Sequence, residues 1–283
     1  WPVHDYEVVL LETSKGDLVA GLAIGGIWIM RKDGSIIRLS HGNGLISNRI
    51  LALCEDHEGT VWIGSDSGLQ SFRLNRYAGM KFTRELFNSP LTIASARGDG
   101  VWVGNAQKAV HRVTRTKIRK LERPIAGTRW IWALHEDRNG VLWANHDAGF
   151  MLKISSAGYQ EVLSKEGHQD HITTFQEDQQ GRLWAGGNRG LWLEENGRWR
   201  LVASENAGVA RVRCIGGGKD GVLWLGMAGR GLCRREKGEG TLYSSRDVFS
   251  SHEISSLFVD RESGVVWIGT LGQGLFLFQD GTF

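Results

Sequence analysis

Short apolar runs separated by polar turns recur along the whole chain. Ile50-Leu-Ala-Leu-Cys54 shows no polar alternation, and neither does Val61-Trp-Ile-Gly64. Between them lies Glu55-Asp-His-Glu-Gly59, a hairpin turn in which Asp can bond its own backbone and Gly can take positive φ. Gly68-Leu69 opens a third strand, and Met80 to Phe87 supplies a more polar fourth. Strands that are apolar on both faces must be covered on both sides. A four-stranded blade wedged between two other blades meets that condition.

The turn and the strand after it return as Asp137-x-x-Gly140-x-x-Trp143 and Asp178-x-x-Gly181-x-x-Trp184. Looser copies run through Trp102, Trp224 and Trp267, and Val19 takes the tryptophan position in the first copy. The anchors Val19, Trp62, Trp102, Trp143, Trp184, Trp224 and Trp267 are spaced 43, 40, 41, 41, 40 and 43 residues apart. A period of about 40–45 residues with several short strands per unit marks a β-propeller. The expectation is an all-β chain forming a single seven-bladed β-propeller over residues 1–283. Its blades should be four-stranded and antiparallel, with the anchors buried between them.

The Gly-Leu element that opens strand three recurs as Gly26-Ile27, Gly149-Phe150, Gly190-Leu191, Gly231-Leu232 and Gly274-Leu275. The third copy lacks it at Gln107-Lys108-Ala109, and its first hairpin, Arg97-Gly-Asp-Gly100, is one residue short. Blade three should therefore be irregular. Blade seven reaches Phe283 as its fourth strand begins, and Trp1 to Asp5 is too short to supply that strand. The last blade should be incomplete, as in a segment of a longer protein. The absence of an initial Met and of a signal peptide fits the same expectation.

Composition narrows the class. Hydrophobic residues make up 41% and charged residues 23%, ordinary for a globular chain. No apolar stretch approaches the ~20 residues of a membrane helix, so the chain is not itself membrane-spanning. A net charge of +3 does not point to nucleic acid. Cys54, Cys214 and Cys233 do not make a disulfide framework. The last two fall in the first and third strands of one blade, roughly 9–10 Å apart, beyond the ~7 Å limit for a bridge.

The phrase from Gly44-Leu-Ile-Ser-Asn-Arg-Ile50 through Asp56, Gly59, Trp62 and Gly64 to Gly68-Leu69 resembles the two-component regulator propeller repeat. The likeness extends, with decay, over the chain. The Gly-His and Trp-Asp pairs of WD repeats and the double glycine of kelch repeats are absent, and sialidase-type Asp-boxes lack the following Gly-Leu. The resemblance implies an extracytoplasmic, periplasmic sensor propeller. Such modules sit upstream of a membrane helix and a histidine kinase or diguanylate cyclase, and the better-known ones recognise oligosaccharides. No output domain is present in this sequence.

In a four-stranded meander, the connector into strand one and the loop between strands two and three open on the same face. Residues that differ there between blades are the candidates for function. Before strand one the positions read Tyr6, Arg49, Pro90, Trp130, His171, Arg211 and Glu253, flanked by Arg129, His168 and His252. The second loops add Asp66, Asn105, Asn145-His146-Asp147, Asn188-Arg189, Arg230 and Gln273. Arginine offers planar charge-assisted donors for carboxylate or sulfate. Tryptophan offers a face for a sugar ring, and Asn a paired donor and acceptor for hydroxyls. The candidate ligand residues are Arg129, Trp130, His146, His171, Asn188, Arg189, Arg211, Arg230, His252 and Glu253. The competing reading is that they are solvated loop residues.

Other patterns weigh less. His168-Gln-Asp170-His171 has two histidines three apart in a loop, without a third ligand at recognisable spacing, so neither metal nor cofactor is expected. His135-Glu136-Asp137 belongs to the repeated turn at the opposite end and should be structural. The basic run from His111 to Arg123 lies on outer strands, where charge blocks unwanted pairing. A non-catalytic sensor for an anionic or hydroxyl-rich ligand is the first reading, with a second propeller or a signalling domain of the parent protein as partner. A propeller lyase or glycosidase using His146, His171 and His252 is the second, and an interaction scaffold the third. A paired-carboxylate hydrolase is poorly supported, because Glu253 is the one acid of the inner positions.

Overall fold

A computed structural model describes residues 8–73, 81–83, 90–105, 110–121, 131–146, 149, 151–155, 158–162, 170–204, 209, 211–243, 253–260 and 263–283. The chain is a seven-bladed β-propeller, and no α-helix occurs among the described residues. Blade one is β1–β4 (Val8–Glu12, Leu18–Leu22, Gly26–Met30, Ile36–Leu39) and blade two is β5–β8 (Ile50–Glu55, Val61–Ser65, Gly68–Phe72, Lys81–Thr83). Blade three is β9–β12 (Pro90–Ser95, Val101–Asn105, Val110–Val113, Ile118–Lys120). Blade four is β13–β16 (Ile131–Glu136, Leu142–His146, Met151–Ser155, Gly158–Val162). Blade five is β17–β20 (Ile172–Glu177, Leu183–Gly187, Gly190–Glu195, Arg198–Ser204). Blade six is β21–β24 (Val212–Gly217, Leu223–Met227, Gly231–Glu236, Glu239–Tyr243). Blade seven is β25–β27 (Ile254–Val259, Val266–Thr270, Leu275–Phe278). Strands follow chain order in every sheet, and the last sheet has three among the described residues, as its sequence led us to expect.

Two compact units divide the chain: Val9–Glu136, and Val8 with Asp137–Phe283. In the first, strand parity sends Val61 and Ile63 into a cluster with Ile50 of their own blade and Val19, Ile27 and Ile29 of blade one. Trp62, between them, faces the other way, onto Val101, Val103 and Val113. The second unit repeats this. Leu223, Leu225 and Met227 pack with Trp184 and Leu191, whereas Trp224 packs with Ile254, Val266 and Phe278. Each second strand is thus apolar on both faces because each face meets a different blade.

One carboxylate explains the spacing of the repeat. Asp56 Oδ1 accepts from the backbone N–H groups of Glu58 and Thr60 at 3.0 and 2.9 Å, while its Oδ2 accepts from Trp62 Nε1 at 2.8 Å. Asp137 does the same for Asn139, Val141 and Trp143. Asp178 serves Arg182 and Trp184, with the indole bond at 2.8 Å. A buried indole N–H needs a partner, and a carboxylate six residues upstream supplies it while closing the turn. Trp62, Trp143, Trp184 and Trp224 are buried. Trp102 and Trp267 are half-buried, so full burial of every anchor does not hold.

The glycine two residues beyond the anchor has a separate task. A Cβ on Gly186 would sit 2.6 Å from Val212, and one on Gly226 would sit 2.6 Å from Ile254. In both cases the residue approached is in the first strand of the following blade. The motif Trp-x-Gly therefore combines a buried ring with a place for the next blade to come close.

The Glu that precedes the turn Asp ties blades together. Glu136 Oε2 accepts from Arg97 N at 2.9 Å, and Glu177 Oε2 from Arg138 N at 3.1 Å. Glu55 likewise receives the Ser14 backbone N–H and hydroxyl. In blade three Ala96 stands where the turn Asp would be, and Trp102 Nε1 turns to Glu136 at 2.6 Å. His135-Glu136-Asp137 is accordingly structural. The basic run is partly absorbed as well. Arg112 donates to the Arg97 and Asp99 carbonyls at 2.7 Å, and Arg115 to Thr60 Oγ1 at 2.7 Å, while Arg119 and Lys120 stay exposed on outer strand β12. All three cysteines are free and buried, and burial pushes Cys54 and Cys214 up to about 12.

Trp184→Ala is expected to cost about 3–5 kcal/mol through lost burial and the cavity left behind, read from chemical denaturation. Burial acts to raise the Asp178 pKa, but the bonds from Trp184 and Arg182 outweigh it and hold it below 3.8. A depressed folded-state pKa means that this stabilisation is complete above 3.8 and is lost as pH falls through the lower, folded value. Asp178→Asn should therefore lower stability at neutral pH and flatten its decline in acid. An unchanged acid limb would contradict the assignment.

Candidate functional site

In blades five, six and seven the end opposite the first hairpin is built by a second recurring device. The residue after strand two donates its N–H to the carbonyl of the residue before strand one. Asn188 donates to His171 at 3.3 Å, Ala228 to Arg211 at 3.0 Å, and Leu271 to Glu253 at 2.9 Å. The connector before strand one and the loop after strand two therefore sit side by side, as the meander required. In blade two the connector is strapped by buried Gln70, which accepts from Ile46 N at 3.0 Å and donates to Gly44 O at 2.8 Å. Asp66 there accepts from Ser47 Oγ at 2.6 Å.

A register shift follows at the start of strand one, between Ile172 and Thr174, Val212 and Cys214, and Ile254 and Ser256. Such a bulge re-aims the extra residue. Here each one reaches the next blade: Thr173 Oγ1 donates to Val212 O at 2.8 Å, and Ser255 Oγ to Val8 O at 2.9 Å. Arg213, the third, pairs with Glu253 at 3.1 Å, both side chains partly exposed.

Blade five carries a buried polar network beneath this end. Asp170 Oδ2 accepts from Arg189 N at 3.0 Å and from Trp192 Nε1 at 2.8 Å. Its main-chain carbonyl accepts from Asn145 Nδ2 at 3.4 Å. Asn145 is fully buried and stands where other repeats have the glycine of Trp-x-Gly. Gly187 makes room for the carboxylate, since a Cβ there would lie 2.5 Å from Asp170 Oδ2. Burial raises the Asp170 pKa, against the pull of N–H donors from Arg189, Trp192, His171 and Asn188. The carboxylate is thus turned inward to hold the Asn188-Arg189 turn.

The expected site residues now fall into groups. His171 is half-buried beside the exposed pair Asn188 and Arg189. Arg211 is exposed and bound through its carbonyl to the loop that carries half-buried Arg230. Half-buried Glu253 bridges to that same loop at Ala228. His146 is the last residue of β14. Arg129, Trp130, His168 and His252 lie outside the described residues. Arg213 and Asp170 were not among the expected ligand residues, and Asn145, expected in the second loop, lies within β14. Asn145 in place of a motif glycine and the doubled Gly186-Gly187 were the available signals for the buried roles of Asn145 and Asp170.

The family model for the two component regulator propeller matches residues 44–67 and 167–189. These stretches are the connector, first strand, Asp turn and anchor strand of blades two and five. Those two segments match the two component regulator propeller repeat. No curated protein matches the sequence.

Among solved structures, the chain superposes on the extracellular domain of a hybrid two-component system from B. thetaiotaomicron. That likeness has a TM-score of 0.77 and 15% identity and covers 98% of this chain and 38% of the other. A second such domain from the same organism gives 0.78 and 16%, over 96% and 40%. A catalytically inactive virginiamycin B lyase from Staphylococcus aureus, crystallised with quinupristin, gives 0.77 and 16%, over 96% and 94%. At these identities the likeness is one of fold. The chain spans about two-fifths of the length of those two receptor domains. Among the described residues no helix is long and apolar enough to cross a membrane.

Asp170→Ala should free the Asn188-Arg189 turn while leaving the blades assembled. The expected loss is about 1–3 kcal/mol, from donors left buried without a partner. Hydrogen exchange at the Arg189 amide should quicken in step, and unchanged protection there would show that Asp170 does not hold the turn.

Proposed function

We propose that residues 1–283 act as one non-catalytic sensor propeller of an extracytoplasmic receptor, binding an anionic or hydroxyl-rich ligand such as an acidic oligosaccharide. The observation that carries this reading is the pair Arg189 and Arg211. Both side chains are exposed at the same end of adjacent blades, while both backbones are fixed, Arg189 through Asp170 and Arg211 through Ala228. Guanidinium groups on fixed anchors lose little further freedom when they engage a carboxylate or sulfate. The nearby acid, Glu253, is already paired with Arg213, so the cationic character of this end is not cancelled. His171, Asn188 and Arg230 supply further polar groups, and Arg129, Trp130, His146 and His252 complete the proposed set. Support for the sensor role comes from the repeat family and from receptor domains of the same fold.

The reading is tested by titrating the chain calorimetrically with matched sulfated and desulfated oligosaccharides at low and high salt. Binding should favour the sulfated form and weaken with salt. Arg189→Ala and Arg211→Ala should each reduce affinity by about tenfold or more, with unchanged circular dichroism. A lyase shares the fold, so the best binder is also assayed for turnover. Consumption that His171→Ala abolishes while binding persists would replace the sensor reading with an enzymatic one.

A further inference from the structure

Blade three concentrates cations that its neighbours do not neutralise. Its described residues hold Arg97, Arg112, Arg115, Lys117, Arg119 and Lys120 against one acid, Asp99, in a chain whose net charge is only +3. The carboxylates that reach in from adjacent blades are shared. Glu58 takes both Arg73 at 2.8 Å and Arg115 at 3.4 Å. Glu136 takes Arg112 at 3.6 Å while also accepting from Trp102 Nε1. Lys117, Arg119 and Lys120 are exposed, and no acid pairs with them among the described residues.

The sheet itself sets like charges across from one another. β12 pairs with β11 so that Arg119 lies opposite Arg112 and Lys120 opposite His111. Like charges directly opposite are destabilising; burial and then the Lys120 ammonium lower the His111 pKa. Other outer strands offset their charge. Blade five sets Arg198 opposite Glu195, which also takes Arg200 at 2.6 Å. Blade one lays Arg38 over the Trp28 ring opposite it, at 3.9 Å. Blade six faces Glu239 with Glu236, but Arg234 bridges Glu236 at 2.9 Å. A single lysine suffices to blunt a short edge, so blunting alone does not account for the doubled charge of β12.

The open side of β12 can receive a strand. Thr114 N donates to Lys117 O and Leu121 N to Val110 O, each at 2.9 Å, so alternation turns the backbone groups of Ile118 and Lys120 away from β11. β12 ends its sheet among the described residues. Ile118 packs toward Trp62 and Leu69 of blade two, so Lys120 shares that face and Arg119 takes the other. Blade three exposes no large apolar side chain among its described residues. That disfavours a membrane anchor and the aromatic platforms that hold single-stranded nucleic acid. We propose that this edge docks an extended acidic segment of a partner protein, with consecutive carboxylates set opposite Arg119 and Lys120. Such a strand adds backbone bonds and places a carboxylate beside each repulsive cross-strand pair. A neutral strand would cover the same cations unpaired, so the charges that exclude it select the acidic one.

The test titrates the 283-residue chain with a labelled peptide of Val-Glu-Glu repeats and with its Val-Gln-Gln counterpart, read by fluorescence anisotropy at low and high salt. The acidic peptide should bind, weaken with salt, and slow exchange of the Ile118 and Lys120 amides. Arg119→Glu with Lys120→Glu should reduce its affinity about tenfold or more. Lys15→Glu with Lys32→Glu, an equal change of net charge at exposed positions of blade one, should leave it unchanged. Arg119→Gln should not lower the thermal midpoint, since it removes a repulsion; a clear fall would assign Arg119 to the fold and overturn the proposal. Absence of binding, equal binding of the Val-Gln-Gln peptide, or equal loss in the blade-one variant would overturn it too. So would tighter binding of heparin or of phosphatidylglycerol vesicles that the Arg119 and Lys120 reversals abolish, since the edge would then serve a glycan or a membrane.

Discussion

The bond from an indole N–H to a carboxylate six residues earlier is the constraint on which the repeat depends. Neither partner could be buried alone without a large desolvation cost. Together they fix the length of the first hairpin, because Oδ1 must close the turn while Oδ2 reaches the ring. Fixing that hairpin fixes the register of strand two, and so sends the apolar side chains on either side of the tryptophan toward one neighbour and the ring toward the other. The glycine two residues on then lies against the first strand of the next blade. A single pairing within one blade thereby sets how that blade meets two others.

Deviations from this pairing show how the frame is maintained. Blade three has no turn Asp, and its tryptophan borrows Glu136 from the following strand one, at the expense of full burial. Blade six has Gly218 at the Asp position and keeps Trp224 buried by aromatic contact, with Phe278 at 5.5 Å and Tyr243 at 6.0 Å. The Glu latches add a layer that the sequence presents only as an acidic doublet. In Glu136-Asp137 and Glu177-Asp178 the second acid serves its own blade and the first serves the blade before. Both acids of these doublets are therefore committed to structure.

Much of the fold could be read from the chain because its signal is periodic. Seven anchors at near-constant spacing survive the loss of a tryptophan at Val19 or of an aspartate at Ala96. The candidate site is aperiodic by nature, and two physical effects hid parts of it. A strand reads as simple alternation, but the bulge after Val212 displaces Arg213 from that alternation and brings it to Glu253. The stretch His168-Gln-Asp170-His171 resembles spaced ligands, yet Asp170 is turned inward by four N–H donors and a neighbouring glycine that makes room for it. Burial of a polar residue depends on space that a distant residue vacates, and such space leaves little trace in local pattern. The candidates Arg189, Arg211 and Arg230 are legible more simply, as charges at loop positions where the frame asks for none.

The same separation explains how one frame can accompany both receptors and a lyase. Backbone bonds such as Ala228 to Arg211 and Leu271 to Glu253 use main-chain atoms, so any side chain can occupy those positions without altering the blade. What a given propeller recognises is then decided by the groups placed on those fixed anchors and by how many are neutralised nearby. In this chain the Glu253 carboxylate is matched by Arg213, and the Asp170 carboxylate is withdrawn into the blade. Arg189 and Arg211 stay exposed beside these two spoken-for carboxylates. The proposed preference for anions rests on that imbalance of charge rather than on the propeller fold.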